Sequence, residues 1–155
     1  MKYIQGLAAH IINQAMSLDP FDIAHHNNIN TILYPIKASN IKGLYAYDTK
    51  TNKKCITIDS RLNNIMKKFV LSHELGHAFL HNNTSKYFVD KNTCFNQGKF
   101  ENEANKFAAH LLIEDYELKK YIERRVHVKK IAYELEVPRE LIKIKLKESD
   151  KKIFN

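Results

Sequence analysis

His73-Glu74-Leu75-Gly76-His77 is the stretch that decides how this chain is read. Two histidines four residues apart lie one turn apart on the same face of an α-helix. At that spacing two neutral imidazoles can hold one Zn²⁺, with bonds of about 2.0–2.1 Å each. Glu74, directly after the first histidine, points roughly 100° around the helix. It is badly placed to be a third ligand and well placed to take a proton from a water that the metal polarises. A histidine satisfied within a core would explain one such residue, but not two at i, i+4 with an acid between them. Upstream, Met66, Phe69 and Val70 lead into His73, His77 and Leu80 at helical spacing, so the histidines continue the stripe that faces the protein body. Gly76 costs a mid-helix position about 1 kcal/mol relative to Ala. Its missing side chain lets another backbone pack close.

A catalytic zinc takes three protein ligands and keeps one position open. The next acid-rich helical stretch runs from Phe100 to Leu112, with an apolar stripe of Phe100, Ala104, Phe107, Ala108, Leu111 and Leu112. At 100° per residue Glu101 lies nearer the centre of that stripe than Glu103 does, so Glu101 faces inward more. Asn105 sits one turn after Glu101, where its amide can orient a ligating histidine from behind. The alternative is that both glutamates are solvated and ease helix initiation, as acids in a first turn do.

HELGH at 73–77, followed by Glu101-Asn102-Glu103-Ala104-Asn105 and then Phe107-Ala108-Ala109, resembles the ImmA/IrrE family of bacterial and phage zinc metallopeptidases. The wider gluzincin pattern, HExxH followed by ExxxD, matches Glu101 to Asn105 with Asn in place of the acid. The resemblance implies zinc ligands His73, His77 and Glu101, with Glu74 catalytic. It also implies a zinc-dependent endopeptidase whose substrate is a transcriptional repressor, a helix-turn-helix protein of a phage or mobile element. It is most specific between Phe69 and Leu112. Two departures stand out: Leu111-Leu112 continues Ile113-Glu114 rather than reaching a proline, and the C-terminal region is too short for a large sensor-like domain. Tyr87, His81 and His110 are the candidates for stabilising an oxyanion beside the metal. His81, four residues past His77, reads as a helix-end residue that caps carbonyls or lines the cleft.

With 155 residues and 44% hydrophobic content, the chain can build one compact core with a small appendage. The expected division is a zincin-like domain over 1–118 and a helical extension over 119–155. The opening residues, interrupted by Gln5, His10, Asn13 and Gln14, form an amphipathic helix and not a signal peptide or membrane span. Cys55 and Cys94 then read as free thiols in a reducing cytoplasm.

The expected class is α+β: a small antiparallel sheet packed on the active-site helix, with C-terminal helices. Residues 3–18 read as a helix, and Asp19 as the N-cap of a short helix beginning at Pro20. Strands are expected at 31–36, 43–47 and 54–58, with a hairpin loop at 48–52. Pro35 and the glycine-flanked 44–47 suggest a free strand edge near the active-site helix, where an extended substrate could add itself. Residues 82–99 read as a loop bordering the cleft, and 116–125 as a helix. Residues 128–146 resemble a helix-turn-helix.

Net charge is +8, and 119–155 hold twelve Lys/Arg against six Asp/Glu. That charge would attract nucleic acid. The second helix of the pair offers Arg139, Lys143, Lys145 and Lys147, however, and lacks the Gln, Asn and Ser common at base-reading positions, so weak or no nucleic-acid binding is expected. The competing reading is a DNA-binding or repressor-binding regulator with a structural or vestigial metal site. The intact Glu74 weighs against it, because a structural site has no use for a general base.

Overall fold

Asp19 accepts a hydrogen bond from the Phe21 amide at 2.9 Å and caps a helix whose first residue is Pro20. The computed structural model describes residues 2–37, 40–81 and 98–148, with the backbone of 87–88. Along the chain these form α1 (Lys2–Ala15), α2 (Pro20–His26), β1 (Ile29–Tyr34), β2 (Gly43–Asp48), β3 (Lys53–Asp59), α3 (Asn64–Leu80), β4 (Tyr87–Phe88), α4 (Lys99–Leu112), α5 (Asp115–Glu123), α6 (Val128–Glu134) and α7 (Arg139–Glu148). The class is α+β.

The sheet runs in the order β1-β3-β2-β4. The β2–β3 hairpin is antiparallel, with Gly43 opposite Ile58 and Asp48 opposite Lys53. β1 pairs with β3 in parallel, from Ile29 opposite Lys54 to Tyr34 opposite Asp59, so the sheet is mixed rather than purely antiparallel. The reason lies in the connection. Residues 35–42 are long enough to span two inter-strand spacings of about 4.8 Å, so β1 and β2 flank β3 instead of each other. The expected free edge at 44–47 is also corrected. β2 is an inner strand whose Tyr45 and Ala46 pair with Phe88 and Tyr87 of β4. Those two residues are the described part of the expected loop 82–99 ahead of Gly98; 82–86 and 89–97, Cys94 among them, lie outside the described residues. Cys55, on β3, is a free thiol.

Asn63 caps α3 by accepting from the Met66 amide at 2.9 Å. From Phe69 to Ala78 every residue of this helix is buried, among α4 and β2, β3 and α2. α3 packs more extensively on α4 than on any other element. The contact depends on Gly76, where an added Cβ would stand 2.8 Å from the Ala104 Cα. The other side of α4 carries α1 and α7. α4 ends without a proline because Ile113 turns extended (φ −126°, ψ 106°) and buries its side chain. α5 follows at once.

α6 and α7 pack as a pair around a tight turn, and α7 lies on α4 through Leu141, Ile142 and Leu146. Lys145 of the same face is buried too. Its ammonium donates to His110 Nδ1 at 3.0 Å and pairs closely with Asp115, which also accepts from Gln5 at 3.0 Å. His110 Nε2 donates to Glu148 at 2.7 Å, and Lys106 faces the same carboxylate at 3.6 Å. Burial, reinforced by the Lys145 charge, pushes the His110 imidazole below its ordinary range. Asp115 is lowered as well: burial raises it, but the bond and charge of Lys145 outweigh that.

Two outcomes follow from this packing. In Gly76→Ala the better helix propensity contributes about 1 kcal/mol, but overpacking against a backbone that has nowhere to go costs about 1–3 kcal/mol. Chemical denaturation should therefore show net destabilisation; a gain in stability would mean that α3 and α4 are not in this contact. His110, kept neutral in the fold, binds a proton more readily once unfolded. Its contribution is present above the unfolded value near 6.5 and is lost as pH falls below it. His110→Gln can keep both hydrogen bonds without titrating, so its denaturation midpoint should fall less than that of the natural chain between pH 7.5 and 5. Parallel curves would remove His110 from the acid sensitivity.

Candidate metal centre

His73 and His77 come to the same place because α3 continues unbroken through Gly76, and Glu101 reaches them because Ala104 lets the first turns of α4 lie against that glycine. All three side chains are buried. His73 Nε2 lies 3.1 Å from His77 Nε2, and each of these nitrogens lies 3.1 Å from one Glu101 oxygen. Three donors around a tetrahedral metal at about 2.0–2.1 Å stand about 3.3 Å apart, so this triangle is close to the size that such an ion needs. The donor types, two imidazoles and a carboxylate, suit a borderline cation such as zinc. Among the described residues no other group of histidine, cysteine and acid side chains converges in this way.

The ring nitrogens turned away from the triangle are engaged too. His73 Nδ1 donates to Asn105 Oδ1 at 3.0 Å. His77 Nδ1 lies 3.1 Å from His81 Nδ1, and His81 Nε2 lies 2.9 Å from Glu103 Oε2. With Asn105 Oδ1 accepting, the His73 proton sits on Nδ1 and the Nε2 lone pair is left for the triangle.

Glu74 is buried but stands apart from the three donors. Its carboxylate lies against the start of β2, where an added Cβ on Gly43 would come within 3.0 Å of Oε1 and would also collide with Val70. Gly43 therefore keeps a place for the acid. Nothing in the spacing of β2 signals this, because the requirement comes from a helix packed across the sheet.

The residues expected as oxyanion candidates are placed differently from one another. His81 is engaged behind His77 and tilts against the Phe100 ring, with centroids 4.6 Å apart. Burial pushes its imidazole below the ordinary range, and the bond to Glu103 partly offsets this. His110 lies farther along α4, with both ring nitrogens committed to α7 through Lys145 and Glu148. Tyr87 is in β4, its backbone opposite Ala46. Helix spacing gave the expectation that Glu101 is turned in further than Glu103; the side chain of Glu103 is 31% exposed and that of Glu101 10%. What it missed is that Glu103 still reaches His81. The available signal was the i, i+4 series His73, His77, His81, which leaves a third imidazole on the site's face.

The chain is 36% identical over 142 residues to the uncharacterized immunity region protein 2 of Bacillus phage phi105, covering 92% of this chain and 88% of that protein. It is 34% identical over 73 residues to the metallopeptidase ImmA of Bacillus subtilis (strain 168), covering 47% of this chain and 42% of ImmA. The Peptidase M78 family model, described as the IrrE N-terminal-like domain, matches residues 24–147, a span that holds the α3–α4 donors, the whole sheet and the C-terminal helix pair. The chain thus belongs to the IrrE N-terminal-like metallopeptidase family.

Proposed function

We propose that this protein is a zinc-dependent endopeptidase that cleaves a helix-turn-helix transcriptional repressor of a phage or mobile element, and that it works in the cytoplasm. The observation that carries the peptidase reading is the triangle of His73, His77 and Glu101, with a separate buried acid, Glu74, one position after the first histidine. Zinc, when bound, supplies Lewis acidity. His73, His77 and Glu101 would hold it, and Asn105 fixes the ring of His73 from behind. Glu74 accepts the proton of the attacking water and passes it to the leaving amine when the peptide bond breaks. Two features support a base held ready for this step: its burial, and its seat against Gly43.

The repressor as substrate rests on the relatives. The phi105 protein belongs by name to an immunity region, and ImmA is by name a metallopeptidase. A repressor acts where the DNA is, which places the encounter in the cytoplasm. No helix among the described residues is long and apolar enough to cross a membrane. Residues 1–118 act as the metallopeptidase domain, and the basic 119–155 segment recognises the repressor or positions the domain. It binds nucleic acid weakly or not at all. Of its candidate base-reading cations, Lys145 is buried on the face of α7 that meets α4, and Arg139 is paired with Glu140 at 2.9 Å.

The purified protein should carry about one zinc per chain, and His73→Ala or Glu101→Ala should abolish it by metal analysis. Glu74→Gln, nearly isosteric yet unable to accept a proton, should keep the zinc and the fold while cleavage of the cognate repressor falls by roughly 10²–10⁴. Retained cleavage would remove Glu74 from the mechanism. In gel shifts at physiological salt, operator and random DNA should bind alike and weakly, because charge attraction alone carries no sequence preference. Tight, operator-selective binding would favour the regulator reading.

A further inference from the structure

Behind the triangle the two ligating histidines are held unequally. His73 faces the neutral amide of Asn105 at 3.0 Å, whereas His77 faces a second imidazole, His81, with the Glu103 carboxylate behind it. The proton positions along this second chain follow one from another. An ionised carboxylate only accepts, so His81 carries its proton on Nε2, 2.9 Å from Glu103. A neutral His81 then has its lone pair on Nδ1 and accepts from His77 Nδ1–H at 3.1 Å. His77 is thereby fixed with the Nε2 lone pair turned to the triangle. Losing Glu103 removes the carboxylate that holds this proton on Nε2, and in the other tautomer the Nδ1–H of His81 would oppose the donor of His77. A carboxylate acting through a hydrogen-bonded ring also makes the ligating nitrogen more basic.

We propose that His81 and Glu103 are positioning residues for the metal: Glu103 fixes His81, His81 fixes His77, and together they place behind His77 the negative charge that Asn105 does not place behind His73. The proposal rests on the metallopeptidase reading of the site. Neither residue is a ligand. Glu103 leaves the triangle to Glu101, and the His81 ring touches His77 through the nitrogen that points away from it. A plain structural role, in which His81 merely ends α3, is different, since that role uses the backbone N–H of His81 on the His77 carbonyl and is independent of the side chain.

The test is the zinc affinity of the full chain, measured by competition with a chromophoric chelator, with thermal unfolding of the metal-free protein alongside. Glu103→Gln should weaken zinc binding by about 10–100-fold, the usual effect of losing an outer partner of a ligand. With its side chain 31% exposed, this residue can change without disturbing the metal-free fold. His81→Asn, which keeps the backbone bond and loses the imidazole, should weaken binding at least as much. In the His81→Asn background Glu103→Gln should have no further effect, because Glu103 acts through His81. His77→Ala is the control and should lose zinc altogether. If His77→Ala binds zinc like the natural chain, the site itself is wrong. If His77→Ala loses zinc while Glu103→Gln stays within twofold of the natural chain, the site stands and the proposal falls. It falls equally if the two substitutions weaken binding independently, or if Glu103→Gln destabilises the metal-free protein to match its loss of affinity.

Discussion

The close approach of α3 and α4 at Gly76 and Ala104 is the contact on which the rest of this structure depends. A side chain at 76 would meet backbone, not the pliable end of another side chain, so the two helix axes cannot be this near with anything but glycine there. That separation allows the short side chain of Glu101 to reach both imidazoles of the neighbouring helix. It also sets how far Asn105, one turn on, stands from His73, and how far Glu103 stands from His81. One missing methyl group thus fixes four separate polar distances. The helix propensity that glycine gives up, about 1 kcal/mol, is small beside the cost of leaving several buried polar groups without partners, about 1–3 kcal/mol each.

The sheet has a narrower role. It supplies the surface on which α3 lies and, through Gly43, the recess that takes Glu74. Its mixed pairing makes β3 the central strand between β1 and β2, with Ile56 and Ile58 fully buried. On the opposite side of α4, α7 is anchored through Leu141, Ile142 and Leu146 and through a polar cluster in which Lys145, His110, Asp115, Glu148 and Gln5 satisfy one another. A lysine this deeply buried stays there only because its ammonium has partners, since an unpaired charge in that position would cost several kcal/mol.

How far the sequence could be read depended on the range of the interaction. Asp19 with Pro20 and the alternation in β2 and β3 are local signals, and those elements begin and end close to where these residues place them. The inward turn of Glu101 was legible as well, because a helical wheel needs only one helix. The parallel partnership of β1, the pairing of β4 with Tyr45 and Ala46, and the Glu103–His81 contact were not. Each joins residues from different elements, and spacing along one element says which way a side chain faces without saying what stands opposite. His110 shows the same limit. It was expected beside the metal as an oxyanion candidate, but Lys145, 35 residues later, holds its ring toward α7.

The start of α4 has no side-chain cap. Gly98 stands at the N-cap position and offers the first amides nothing to bond with, yet Glu101 belongs to that first turn. The terminal turn is the part of a helix most prone to fray. An ion gripped by Glu101 and by two histidines of another helix would tie down that turn from outside, and the ordered turn would in exchange hold the carboxylate ready for the ion. Filling the site and holding the beginning of α4 would then be linked, so that part of the free energy of capture would act as local folding energy where the N-cap residue has no side chain.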